Sequence, residues 1–249
     1  MVRNGKDRPQ DGFTLVELLV VISIITVLIS IMAPLVARAR EMARDVKCAA
    51  NLQQLAAAFK SYEINYDGAW PFPASTNANN IDKSKWWHQN FIYAVVYGRA
   101  PASSTQLTAS WIPGSIFECP ATVNLAPPAD TLSTDSSIWK SYGMSARLNN
   151  LVSDTGDYRG NYKHPNKLDS PSETVLLLDN TQPWAGTVVT STPAPSNSQL
   201  QHLQDATNRH LNGQINVLYC DGHVAALAYA AIPQIHGNAA WELFWGGKR

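Results

Sequence analysis

The chain has 249 residues and a formal net charge of +0, with 15% charged against 45% hydrophobic residues. That balance excludes a broad electrostatic hold on nucleic acid, which is not an expected partner. Eight tryptophans and nine tyrosines beside so few charges fit a secreted, loop-rich surface, and the length leaves room for one long helix plus a domain of about 180 residues with a real core.

Residues 1–12 hold Arg3, Lys6 and Arg8, a basic leader that favours the cytoplasmic side of a membrane. Phe13 to Val36 is an apolar run of 24 residues. As a helix it spans roughly 36 Å, enough to cross a bilayer with some tilt. A cleaved secretory signal has an apolar core of only about 7 to 15 residues, so this run is too long for one. A plain anchor accounts for the length but not for Glu17, the one charge in the run. An acidic side chain at mid-membrane costs about 2.5 to 3.5 kcal/mol, less near the interface, so something should compensate it. Arg38, Arg40, Arg44 and Lys47 follow the run, and charge asymmetry alone therefore does not orient the anchor.

The stretch Gly12-Phe13-Thr14-Leu15-Val16-Glu17 resembles the prepilin cleavage and methylation motif of type IV pilins and type II secretion pseudopilins. The resemblance implies that a dedicated prepilin peptidase and methylase cuts between Gly12 and Phe13 and methylates the new Phe13 amine. It implies a single-pass protein of the inner membrane with its large domain in the periplasm. The implied partners are other pilin or pseudopilin subunits and the inner-membrane assembly platform. Proline is frequent in the family at the place where Pro34 stands, and such a residue predicts a bend or local melting near Ile31 to Pro34. Cleavage would create a cationic amine at Phe13. If Glu17 of one subunit meets the Phe13 amine of a neighbour, assembly neutralises both charges in low dielectric and the carboxylate sets the register between subunits.

Beyond Pro34, the residues Cys48, Leu52, Leu55, Phe59, Tyr62 and Tyr66 recur at alternating steps of four and three, one apolar helical stripe that faces a core. The spacing predicts a helix from Phe13 to Tyr66, roughly 80 Å long. Its part 13–36 is the transmembrane and assembly segment, and 37–68 is an amphipathic continuation. Gly68 suits a left-handed cap, and Pro71 and Pro73 prevent continuation. Residues 69–249 then form an extracytoplasmic globular domain. Trp86, Trp87, Phe91, Ile92, Val95 and Val96 read as a short buried helix, and Pro101 to Gly114 and Ala126 to Ser137 as surface loops.

Three strands are expected near the C-terminus: Thr174 to Leu178, Ile215 to Tyr219, and His223 to Tyr229. Asp221-Gly222 between the last two is a hairpin signal of type I′, which needs positive φ at both residues, and Asn212-Gly213 offers a second turn. A small antiparallel meander beneath the helix gives an α+β fold, and the prepilin resemblance implies that it is pilin-like. This end also resembles a subfamily of large prepilin-like proteins whose processing-associated domain closes in a histidine, nine residues and Asp-Gly. Here His210 precedes Asp221-Gly222-His223-Val224 with ten residues between. Further pieces similar to that subfamily are Cys48 to Tyr62 with its NLQQL core, Phe117-Glu118-Cys119-Pro120, Ser141-Tyr142-Gly143-Met144, and Ser170 to Asp179.

His210, Asp221, His223 and Asp179 are the candidates for a metal or acid/base site. Turn chemistry already accounts for Asp221, and the end of a strand for His210. The metal version favoured by hard oxygen ligands is Ca2+ held by Asp179, Asp221 and loop carbonyls, as some pseudopilins do in this region; no cofactor is required. Three cysteines leave one over in an oxidising compartment. Cys48, on the helix stripe, and Cys119, in its Phe-x-Cys-Pro loop, are the expected disulfide, with Cys220 a core thiol. No nucleophile elbow, phosphate loop, CxxC or HExxH occurs. The leading reading is therefore a non-enzymatic assembly subunit of a type IV pilus or a type II secretion pseudopilus. A solitary membrane-tethered module that binds a ligand or polysaccharide through Trp70, Trp184, Trp241 and Trp245 is the second. A tethered enzyme using His210 and Asp221 is the third.

Overall fold

The computed structural model describes residues 13–65, 68, 70, 95–96, 116–121, 141–145, 148, 168–180, 184–185, 206–207, 209–233 and 238–246, in two compact units, Met1–Glu41 and Met42–Arg249. The fold is α+β. Helix α1 covers Leu15–Asn65, 51 residues. In the first unit every large apolar residue from Phe13 to Val36 is between 42% and 79% exposed, and this is the one described helix long and apolar enough to cross a membrane. Its hydroxyls return to the helix backbone, Ser23 to Leu19 O, Thr26 to Ser23 O and Ser30 to Val27 O. An apolar surrounding therefore meets few bare polar groups. The expected melting at Pro34 does not occur: α1 runs through the proline unbroken, and the cost is the donor that Ser30 C=O would otherwise receive.

In the second unit the predicted stripe is the buried face of α1: Cys48, Leu52, Leu55, Phe59 and Tyr62 are all at most 5% exposed. The helix stops as its sequence dictates, with Gly68 at φ 79° and its N–H bonded to Glu63 O at 2.8 Å, a left-handed ending that glycine alone adopts without strain. Tyr66, Pro71 and Pro73 lie outside the described residues, as do the two expected surface loops. Of the expected central helix, Val95 and Val96 are helical and packed against the core.

Among the described residues the sheet has five strands in the order β3-β1-β2-β4-β5: β1 Tyr142–Ser145, β2 Val175–Asp179, β3 Trp184–Ala185, β4 Gln214–Tyr219 and β5 Val224–Ala228. β2, β4 and β5 are the three expected strands, antiparallel to one another. β1 extends them antiparallel, and β3 pairs parallel to β1. These two were not predicted, because four and two residues are too short to show a period of two.

The sheet is covered on both faces. One face meets α1 through Tyr142, Met144, Leu176, Leu177 and Leu218. The other meets the C-terminal segment through Val175, Leu178, Ile215, Val217 and Tyr219, packed on Trp241, Phe244 and Trp245. Asn238 caps the last helical turn, Ala239–Trp241, by accepting from Trp241 N. Trp245 Nε1 donates to Pro233 O, and Ser145 Oγ to Trp245 O. Trp70, Trp241 and Trp245 are 2–4% exposed and are core residues, not the binding surface that the second reading required; nothing is described of the Trp184 side chain.

Two turns differ from expectation. Asp221 is not among the residues with positive φ, whereas Gly222 is, at 97°, so the hairpin is not type I′. Gly222 N–H bonds Tyr219 O, and Tyr219 N–H bonds His223 O, a three-residue loop whose last residue is left-handed. The positive-φ pair falls instead at Asn212 (62°) and Gly213 (64°). Leu52→Ala is expected to lower unfolding stability by about 2 to 5 kcal/mol in urea titration followed by the fluorescence of the buried tryptophans, while Leu28→Ala, on the exposed run, leaves the midpoint unchanged.

Candidate functional site

Two clusters are candidates. The first opens α1. Glu17 is not the bare carboxylate its sequence implies: its Oε2 accepts from Thr14 N at 2.9 Å and from Thr14 Oγ1 at 2.7 Å, while Glu17 N donates to Thr14 Oγ1 at 3.3 Å. This is a capping box, in which a Thr at the N-cap and a Glu three residues on satisfy one another's backbone donors. The signal was present in Thr14-Leu15-Val16-Glu17, masked by the attention its charge attracts. Phe13, one residue before, is 77% exposed. Gly12 lies outside the described residues.

The second cluster is buried where α1, the segment 116–121, β2 and the segment 209–213 converge. β2 carries an irregularity between Val175 and Leu177. Val175 packs on the C-terminal side, Leu176 and Leu177 both pack on the α1 side, and Leu178 returns to the C-terminal side. Strict alternation from Val175 would send Asp179 away from the helix; the bulge shifts the phase by one and aims it at Cys48. Asp179 is 0% exposed. Its Oδ2 accepts from Asn216 N at 2.7 Å and lies 2.9 Å from His210 Nε2, and its Oδ1 accepts from Cys48 Sγ at 3.3 Å.

His210 joins the elements. Nδ1 lies 2.7 Å from Asp45 Oδ1, one turn of α1 before Cys48, and Asp45 Oδ2 accepts from Leu211 N at 3.3 Å. Nε2 faces Asp179, the Cys119 Sγ at 3.6 Å and the Asn216 Nδ2 at 3.2 Å. Cys119 is placed by its own N–H on Ser141 Oγ at 2.9 Å and by Asn51, whose Nδ2 donates to Glu118 O. Tyr142 OH lies 3.2 Å from Cys48 Sγ. The buried Arg209 donates through its two terminal nitrogens to Ser141 O and Asn180 O at 3.0 and 3.1 Å.

The electrostatics follow from burial and these contacts. Burial opposes charge on His210, but the hydrogen bonds to Asp179 and Cys119 and their attraction outweigh it, and its pKa is pushed up to about 11. The hydrogen bond from Cys48, assisted by His210, outweighs burial at Cys119 and draws that thiol down to about 7. Burial, then Cys119 and Asp179, push the Cys48 thiol well up. Burial and the same neighbours raise Tyr142. Burial lowers Arg209 against the pull of Asp179 and the two cysteines.

Of the residues singled out in the sequence, the structure unites Cys48, Cys119, Asp179 and His210, whose donor atoms all lie within 4.8 Å of one another. Cys48 and Cys119 are neighbours, as expected, but they are thiols here, as is Cys220. Asp221 is elsewhere. It follows the end of β4 that pairs with Val175, about 13 Å of strand from Asp179, so the two carboxylates of the expected calcium site are not brought together. Asp221 Oδ1 instead accepts from His223 N at 3.1 Å and lies 2.6 Å from His223 Nδ1, and the His223 ring stacks on Tyr219. The pairing of His210 with Asp221 that an enzymatic reading needs is thereby absent. Asp45 was missed, although its spacing of three from Cys48 puts both on one helix face. Arg209 gave no signal.

Residues 7–33 match the family model described as the prokaryotic N-terminal methylation motif. The chain is also similar to the competence protein ComGC of Halalkalibacterium halodurans, 38% identical over 58 residues, 23% of this chain and 57% of that protein. The chain thus spans little more than half the length of this curated relative. No solved structure matches. Asp179→Ala is expected to cost about 3 to 5 kcal/mol of unfolding free energy, since it takes the buried carboxylate from His210 Nε2 and Cys48 and leaves the buried Asn216 N–H without its acceptor, while Asp221→Ala changes it by about 0.5 kcal/mol or less; both are read in urea titrations.

Proposed function

We propose that the chain is a prepilin-like subunit, cut between Gly12 and Phe13, methylated at the Phe13 amine, and assembled with like subunits into a type IV pilus or a type II secretion pseudopilus. The observation that carries this reading is the match of residues 7–33 to the methylation motif on a helix whose apolar residues are exposed all round from Phe13 to Val36. Such a surface is tolerated in a bilayer or in the packed core of a helical assembly, and not in water. The similarity to a competence protein supports the same reading. On it, a membrane peptidase and methylase and an inner-membrane assembly platform are the processing and export partners, and the domain 42–249 lies on the periplasmic side. The chain's large size and long insertions favour a minor or specialised subunit.

The capping box refines the role of Glu17. Before assembly its carboxylate is held by Thr14, which lowers the cost of keeping an acid at the membrane edge. In the assembly the same carboxylate faces the Phe13 amine of a neighbouring subunit and sets the register. Two substitutions separate these roles. Glu17→Gln keeps a capping-box acceptor but removes the charge, and it is expected to leave the chain membrane-inserted and abolish its recovery in sheared filaments or cross-linked oligomers. Thr14→Val removes the cap but keeps the charge, and it is expected to assemble to within about threefold of wild type, a loss of under about 1 kcal/mol. Equal assembly by Glu17→Gln and wild type contradicts the proposal.

A further inference from the structure

The buried quartet Cys48, Cys119, Asp179 and His210 is left unused by processing and by assembly through α1. We propose that these four side chains hold one zinc ion, a structural site that fastens α1 to the sheet and to the segments 116–121 and 209–213. The inference stands apart from the prepilin reading.

Geometry comes first. The four donor atoms lie within 4.8 Å of one another: His210 Nε2 is 3.6 Å from Cys119 Sγ and 2.9 Å from Asp179 Oδ2, and the other oxygen of that carboxylate, Oδ1, is 3.3 Å from Cys48 Sγ. A tetrahedron built on zinc bonds of 2.0 to 2.3 Å has edges of about 3.3 to 3.8 Å, so side-chain adjustments of about 1 Å or less seat the ion. The donor set decides the metal: two sulfurs and an imidazole suit zinc, whereas calcium and magnesium take oxygen. With four protein ligands no position stays open for water or substrate, which makes the site structural.

The surroundings are those of a ligand set held in place. Asp45 Oδ1 at 2.7 Å takes the Nδ1 side of His210 and leaves Nε2 turned to the other three donors, the carboxylate–histidine–metal arrangement that fixes tautomer and ring orientation. Asn216 N–H holds Asp179 Oδ2, and Tyr142 OH lies on Cys48 Sγ. Two thiolates and a carboxylate bring three negative charges. A divalent ion and the buried Arg209 guanidinium, which is attracted to Asp179 and both cysteines, offset all three. On binding, the two thiols and the Nε2 side of the imidazole give up their protons to solvent, and no electron is transferred. The competing fate is a Cys48–Cys119 disulfide. It needs the sulfurs at about 2.0 Å and an oxidant, and it removes two of the four ligands.

The test uses the full-length chain purified from membranes in detergent, with neither metal nor chelator added. Elemental analysis is expected to find close to one zinc per chain. Cys48 and Cys119 should both be alkylated after denaturation without prior reduction. Cys119→Ser and His210→Ala should each lower the zinc content by about tenfold or more, while Asp221→Asn keeps it. Where a ligand variant fails to fold, exchange of cobalt into the wild-type chain gives the second reading, thiolate-to-cobalt charge-transfer bands with tetrahedral d–d absorption. Folded wild-type protein holding under about a tenth of an equivalent of zinc, a mapped Cys48–Cys119 disulfide, or a cobalt spectrum without thiolate bands overturns the proposal.

Discussion

The globular unit depends on one buried carboxylate. Asp179 contacts a helix residue, Cys48, a strand backbone N–H, Asn216, and a loop imidazole, His210. A carboxylate taken fully out of water is tolerable only with such partners, so each of those elements has to arrive at its place for the core to close. His210 passes the constraint on to Asp45 and so back to α1. The apolar contacts around it, Leu52, Leu55 and Phe59 against Met144, Leu177 and Leu218, supply the larger share of the stabilisation, but they are tolerant of register. The polar quartet is not tolerant, and it fixes which turn of α1 meets which end of the sheet.

The same chain sets a second and opposite constraint in its first unit. There the helix buries none of its apolar residues on its own chain, and the polar side chains of its apolar run are satisfied internally: hydroxyls on the preceding turn, Glu17 on Thr14. A segment so arranged is compatible with lipid as a single subunit and with packed helices as one of many. Glu17 thus has a partner in either setting. On the proposed reading, exchanging Thr14 for a neighbour's amine would give the carboxylate a role in assembly beyond capping.

Much of this was legible in the sequence, and what was not has physical causes. The stripe Cys48, Leu52, Leu55, Phe59 and Tyr62 was readable because a helix of many turns repeats its period often enough to show it. Gly68 was readable because the conformation it takes is one glycine alone adopts freely. The runs at 174–178 and 215–219 were readable as strands from their dense apolar residues, and being covered on both faces is why those residues do not strictly alternate. The bulge at Leu176 was invisible, since nothing in Val-Leu-Leu-Leu-Asp marks which leucine is extra, and with it went the direction of Asp179. The site was therefore half seen. Cys48, Cys119, Asp179 and His210 were each singled out, but Asp179 was joined to Asp221 on the strength of residue type, and Asp45 was passed over. The turn at Asp221-Gly222 was assigned to the wrong type because the Asp-Gly pair signals a hairpin without fixing its loop length.

The central claim, that this is a processed prepilin-like subunit, is tested most directly at its first residue. Intact-mass and N-terminal peptide analysis of the chain extracted from membranes of its native host is predicted to find Phe13 as the first residue, its amine carrying one methyl group. A chain that still begins at Met1 in a host competent for such processing, or one cut after the apolar run near Ala37, would contradict the account.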